Sequence, residues 1–167
     1  MKQAHYLIAA LLISCLFSPL SFAKDANLTV EFTLPELDVS PYHRPYVALW
    51  LETPERKHVT TIALWVEKAE WFKDLRQWWR KAGRSNDNFD GVTGATKRPG
   101  TYTIEWQGKD LKGNPVKPGS YLLNVEVVRE EGGRDYTRVE IDLTKDGKVT
   151  IKGEKEFATS FVTITSN

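Results

Sequence analysis

Leu28, Val30, Phe32 and Leu34 occupy every second position of NLTVEFTL, with polar residues between them. A segment patterned this way buries one face and wets the other, which is what a half-buried β-strand requires. The same period of two recurs along the chain. TYTIEW (101–106) sets Tyr102, Ile104 and Trp106 inward, and YTRVEIDL (136–143) opposes Val139, Ile141 and Leu143 to Arg138, Glu140 and Asp142. PYVALWLE (45–52) and VTTIALWVE (59–67) are apolar on both sides and read as interior strands of a hairpin turning at TPERKH. SYLLNVEVVRE (120–130) passes through the glycine turn EGGRD, Asp146-Gly147 signals a two-residue hairpin into KVTIK, and SFVTIT (160–165) closes the pattern. Seven or eight short strands separated by turn signals specify an all-β fold, an antiparallel β-sandwich.

One segment departs from this period. In WFKDLRQWWRKAG, Trp71, Phe72, Leu75, Trp78, Trp79 and Ala82 fall at helical spacing, with Lys73, Asp74, Arg76, Gln77, Arg80 and Lys81 on the other side. This predicts one amphipathic helix over about 70–82, closed by Gly83 and lying as a lid on a face or end of the sandwich.

The first residues read as an address rather than as fold. Lys2, an apolar run from Tyr6 to Leu20 and the small-residue ending Ser21-Phe22-Ala23 form a secretory signal peptide cut after Ala23. A lipoprotein cut before Cys15 is the second choice, because apolar LFSPLSF would follow the lipid-bearing cysteine instead of a polar tether. Residues 24–167 then form a single domain in the periplasm. Cys15, the only cysteine, leaves with the signal, so the domain has no disulfide, no thiol nucleophile and no cysteine metal site. Lys2 also leaves, and the remaining basic residues balance the 22 acidic ones, which argues against nucleic acid as a partner.

YTIEWQGKDLKGNPVKPGSYLLNVEV resembles a bacterial immunoglobulin-like module through Trp106, Gly108, Asp110, Gly113, Val116, Pro118, Gly119 and Tyr121. The resemblance implies an immunoglobulin-like sandwich in which Tyr121 re-enters the core after a glycine-containing crossover. It concerns fold and not activity.

Residues 83–100, GRSNDNFDGVTGATKRPG, have no periodicity and little apolar content, and so long a loop in a compact domain is functional or disordered. Its centre, Asp90-Gly91-Val92-Thr93-Gly94-Ala95-Thr96, resembles the Asp-x-x-Ser/Thr-Gly-Ala-Thr motif of exported bacterial flavoproteins, among them subunits of the redox-driven sodium pump and its electron-transport relatives. In those proteins a separate flavin transferase, using FAD and Mg²⁺, joins FMN to the last threonine through a phosphoester. The resemblance implies covalent FMN on Thr96, with Asp90, Gly91, Thr93, Gly94 and Ala95 forming the recognition segment. The residue types suit that chemistry. An alcohol without a base is a poor nucleophile, so Thr96 is offered to an outside enzyme on a flexible segment. Gly94 and Ala95 remove bulk beside it, and Lys97 and Arg98 offset the phosphodiester charge. Trp78 and Trp79 are candidates for an aromatic face against the flavin. The sodium pump's flavin domain has a different fold, so the resemblance transfers the motif and not a pocket.

Taken whole, the chain resembles the periplasmic family called domain of unknown function 2271, through RPYVALWLE, LRQWWRKAG, DGVTGATKRPG and the stretch from WQGKDLKG to GSYLLNVEVVREEGG. That resemblance implies partnership with a flavin transferase and with a membrane reductase or cytochrome. The expectation is an electron carrier rather than an autonomous enzyme; the alternative is a non-redox binding or assembly module. His43 and His58 are isolated in sequence, and Asp87, Asp90 and Asp110 match no calcium-loop spacing, so no metal site is expected.

Overall fold

A computed structural model describes residues 26–166. The signal-peptide reading of 1–23 and Cys15 lie outside the described residues. The strands are β1 (Ala26–Leu34), β2 (Tyr46–Glu52), β3 (His58–Trp65), β4 (Thr93–Gly94), β5 (Gly100–Trp106), β6 (Ser120–Val128), β7 (Arg134–Asp142), β8 (Gly147–Ile151) and β9 (Ser160–Ser166). They form a four-stranded sheet, β5-β1-β9-β8, and a five-stranded sheet, β4-β3-β2-β6-β7. Every pairing is antiparallel except the short one between β3 and β4. This is the sandwich that the alternation demanded.

The core lies between the sheets. Leu28, Val30, Phe32 and Leu34 of β1 meet Val47, Leu49 and Leu51 of β2 and Leu123, Val125 and Val127 of β6. Phe32 is central, with its ring 5.8 Å from Trp65 and 5.5 Å from Phe157. β2 is apolar on both sides because it serves two cores. Its other face, Tyr46, Ala48 and Trp50, packs against Leu64, Leu75, Trp78, Ala82 and Phe89 on the outer surface of the five-stranded sheet. The helical lid therefore covers a sheet face, and this second cluster seats the loop that follows it.

The expected single helix over 70–82 is broken in two. Ala69–Asp74 is a 3₁₀ turn, Leu75 leaves helical geometry at ψ 70°, and the chain restarts as an α turn, Arg76–Trp78, running into a wider π turn, Trp79–Gly83. The cause comes from another strand. The buried carboxylate of Glu126 on β6 accepts from the backbone N–H of Gln77 and of Trp78, both at 2.9 Å, and caps the restart. Leu75 and Trp78 still reach the second core with no exposed surface, as the spacing predicted.

Asp146-Gly147 does not form the expected hairpin. β7 pairs with β6 and β8 with β9, so the turn carries the chain from one sheet to the other. Leu143 drops into the core, and Asp146 Oδ1 accepts from Ser166 N at 2.7 Å, tying the corner to β9. The Trp106–Tyr121 crossover follows its motif. Trp106 Nε1 donates to Lys109 O at 2.7 Å, and Tyr121 packs partly buried against the core. Gly108 holds φ +69°, and a Cβ there would stand 2.6 Å from Ala26 O, so only glycine fits.

Candidate functional site

The segment from Ser85 to Arg98 is pinned along its length, which corrects the expectation of a flexible loop. Phe89 is buried in the second core, with its ring 5.1 Å from Trp78. Asn88 Oδ1 accepts from Asp90 N at 2.8 Å and opens a 3₁₀ turn, Asp90–Val92. Thr93 Oγ1 donates back to Phe89 O at 2.8 Å. Thr93 and Gly94 then lie beside Leu64 and Trp65 as β4, and Val66 N donates to Gly94 O at 2.9 Å. Tyr102 OH closes the segment on Arg98 O at 2.8 Å. The pattern has no period because it is a sequence of turns, each satisfying its own polar groups.

The motif is an exposed ribbon with one residue turned in. Asp90, Gly91, Thr93, Ala95 and Arg98 are exposed, Gly94 and Lys97 half-buried, and Thr96 is only 4% exposed. Thr96 Oγ1 donates to Glu67 Oε1 at 3.1 Å. Glu67 is itself exposed, just after β3. The hydroxyl therefore lies beneath a surface side chain at the edge of the five-stranded sheet, outside the inter-sheet core. It is not presented to solvent, contrary to the sequence expectation. Glu67 was missed because it lies 29 residues from Thr96, and nothing in its neighbourhood marks it.

The rings beside the motif are not those expected. Trp78 is fully buried, its rings between Phe72 and Phe89 and its Nε1 donating to Thr61 Oγ1 at 3.0 Å. It cannot face a ligand. Trp79 lines a cleft that shares no residue with the motif. The rings beside Gly94 and Lys97 are Trp65, buried in the inter-sheet core, and half-buried Tyr102, 5.5 Å apart edge to face, with Lys97 Nζ 5.8 Å from the first and 6.0 Å from the second. Gly94 lies over Trp65, where a Cβ would be 3.7 Å from Cδ1.

On the other side of the motif, Asp90 and Thr93 border a cleft of about 300 Å³ shared with Glu67, Lys68, Phe72 and Asp87. His43 stands beside Glu130 and His58 beside Thr61, so no imidazole among the described residues contacts Thr96. The group in contact with the Thr96 hydroxyl is the Glu67 carboxylate.

A family model described as predicted periplasmic protein (DUF2271) matches residues 27–159, most of the chain. The protein belongs to the DUF2271 family. The match takes in both sheets up to β8, the helical lid, Glu67 and the whole motif from Asp90 to Arg98. No curated protein and no solved structure matches the chain.

Proposed function

We propose that this DUF2271 protein is a periplasmic electron carrier, exported by a signal peptide cut after Ala23, that bears FMN on Thr96 Oγ1. The observation that carries the reading is the Asp90–Thr96 motif at a sheet edge, with its acceptor hydroxyl beneath the exposed Glu67 side chain. In the attachment step Thr96 Oγ1 attacks the FMN phosphorus of FAD inside a flavin transferase. The Oγ1–P bond forms, the phosphoanhydride bond breaks, AMP leaves, and the hydroxyl proton passes to a base of the transferase. One negative charge remains on the phosphodiester, beside Lys97 and Arg98. Half-buried Tyr102 offers aromatic surface to the flavin ring. The flavin supplies the redox chemistry, and a membrane reductase or cytochrome exchanges electrons with it.

Thr96 must emerge for the step to occur. β4 is two residues long at a sheet edge, so releasing it is a local opening and not global unfolding. The test is intact-mass measurement of protein co-produced with an active flavin transferase. The expected increment is one FMN less water, absent in Thr96→Ala, with yellow colour retained after denaturation. An unmodified mass, under conditions where the transferase labels an exposed motif peptide, overturns the reading. The burial of Thr96 favours the rival in that event, a non-redox binding or assembly module in which the 83–100 segment is the contact surface.

A further inference from the structure

The acids and bases of the described chain are nearly balanced in number but not in place. Lys73, Arg76, Trp79, Arg80, Arg84 and Arg134 converge, with Gln77, on a cleft of about 370 Å³ beside the helical segment, and no carboxylate lines it. Arg76 and Arg134 also border an adjoining cleft with Asp74 and Glu130, and the acid that contacts Arg134 directly is already engaged. Glu126 accepts from Gln77 N, Trp78 N and Arg134 Nε and is fully buried. Arg80 Nη2 is engaged with the neutral Gln77 Oε1 at 2.6 Å. Among the described residues Lys73, Arg76 and Arg84 have no carboxylate within ion-pair distance. Arg76, Arg80 and Arg84 recur at four-residue intervals and repel one another, a like-charge cost that a bound anion lowers.

The aromatic wall is built as firmly as the charge. Trp79 rests on Gly83, where a Cβ would stand 2.2 Å from Trp79 Cε3 and 2.8 Å from Trp78 Cζ3. Any side chain at 83 displaces the ring, so glycine fixes it half-exposed at the cleft. Four of the five cations are arginines, whose planar forks match the oxygens of a phosphate two at a time, as a lysine ammonium does not. A cleft of this volume admits one phosphate with a small attached group.

We propose that this cleft binds a phosphate group, held by the Arg76, Arg80, Arg84 and Arg134 guanidinium groups with the attached moiety against Trp79. The phosphate belongs either to a soluble ester or to the headgroup of an anionic lipid. The site shares no residue with the cleft beside Asp90, and its test does not depend on flavin.

The exported protein without flavin is titrated with inorganic phosphate while the Trp79 indole N–H resonance, assigned by Trp79→Phe, is followed by NMR. A saturable shift is expected, beyond that given by chloride at matched ionic strength. The exposed-site double variant Arg76→Gln/Arg80→Gln weakens it by about tenfold or more, the loss of at least one charge-assisted pair. Co-sedimentation with phosphatidylglycerol vesicles, compared with phosphatidylcholine vesicles, separates the sources. Selective pelleting that the variant loses assigns a lipid headgroup, whereas phosphate binding with equal pelleting assigns a soluble ester. The proposal is overturned by a response no larger than that to chloride together with no vesicle preference. It is equally overturned when the variant keeps in full whichever response the parent shows, the phosphate shift or the selective pelleting.

Discussion

His58 shows what burial does to one side chain in this fold. Its ring sits at the start of β3 with Nε2 3.1 Å from Thr61 Oγ1, and burial holds it below the ordinary 6.5 while Asp87 and Glu52 pull the other way. A depressed histidine makes the folded state resist protonation that the unfolded chain accepts. Stability from this group is therefore complete above pH 6.5 and declines as pH falls from there to the folded-state value. The urea midpoint is expected to drop between about pH 7.5 and 5, with a slope of at most about 1.4 kcal/mol per pH unit from this residue. His58→Gln removes that share of the slope; an unchanged slope in the variant refutes the assignment. Thr96 makes the same point about context. Its neighbours in sequence, Gly94, Ala95 and Lys97, suggest a presented hydroxyl, but Thr96 is buried and bonded to Glu67, whose presence there depends on how β3 and β4 pair.

At the scale of elements, the motif rides on β4, which is the weakest strand of its sheet. It pairs at two positions with β3, whereas β2 pairs along its length on both sides. Hydrogen exchange is expected to follow that order, with the Gly94–Thr96 amides exchanging far faster than those of Leu49 and Leu51. Glu67→Ala removes the hydrogen bond of the Thr96 hydroxyl, the acceptor in the proposed attachment. Taking that bond at ~1 kcal/mol, flavin attachment to Thr96 is expected to quicken by about fivefold, read as labelling rate against the parent. Slower labelling in the variant contradicts the latch role of Glu67. The helical lid teaches a related lesson. Its buried face was legible, because a 3.6-residue period survives a local break. The break at Leu75 was not, because the carboxylate that stabilises the restart comes from Glu126, 49 residues on from Gln77.

Across the whole molecule, the two sheets are joined at one end by buried charge as well as by the core. Arg129, where β6 turns toward β7, grips Glu156 with Nε to Oε2 at 2.9 Å and Nη2 to Oε1 at 3.2 Å, both residues nearly inaccessible. Asp135 Oδ2 accepts from the backbone of Glu154, Lys155 and Glu156 at 2.7–2.9 Å, holding the segment that leads into β9. Arg129→Met strands a buried carboxylate and is expected to cost about 3–5 kcal/mol, measured by denaturant unfolding, while Arg129→Met/Glu156→Leu recovers much of the loss. A single variant within about 1 kcal/mol of the parent contradicts a buried, desolvated pair. None of these long-range polar links is periodic, so none was visible in the chain. The sequence by itself determined the strands other than β4, the buried face of β1, β5 and β7 and the two-sided apolar character of β2, because these are properties of neighbours one to four residues apart. The tertiary structure alone decided that Asp146-Gly147 crosses between sheets, that Trp78 is core, that Thr96 is buried and bonded to Glu67 and that five scattered cations face one cleft. Those outcomes depend on which distant residues the packed sheets bring within hydrogen-bonding or Coulombic range.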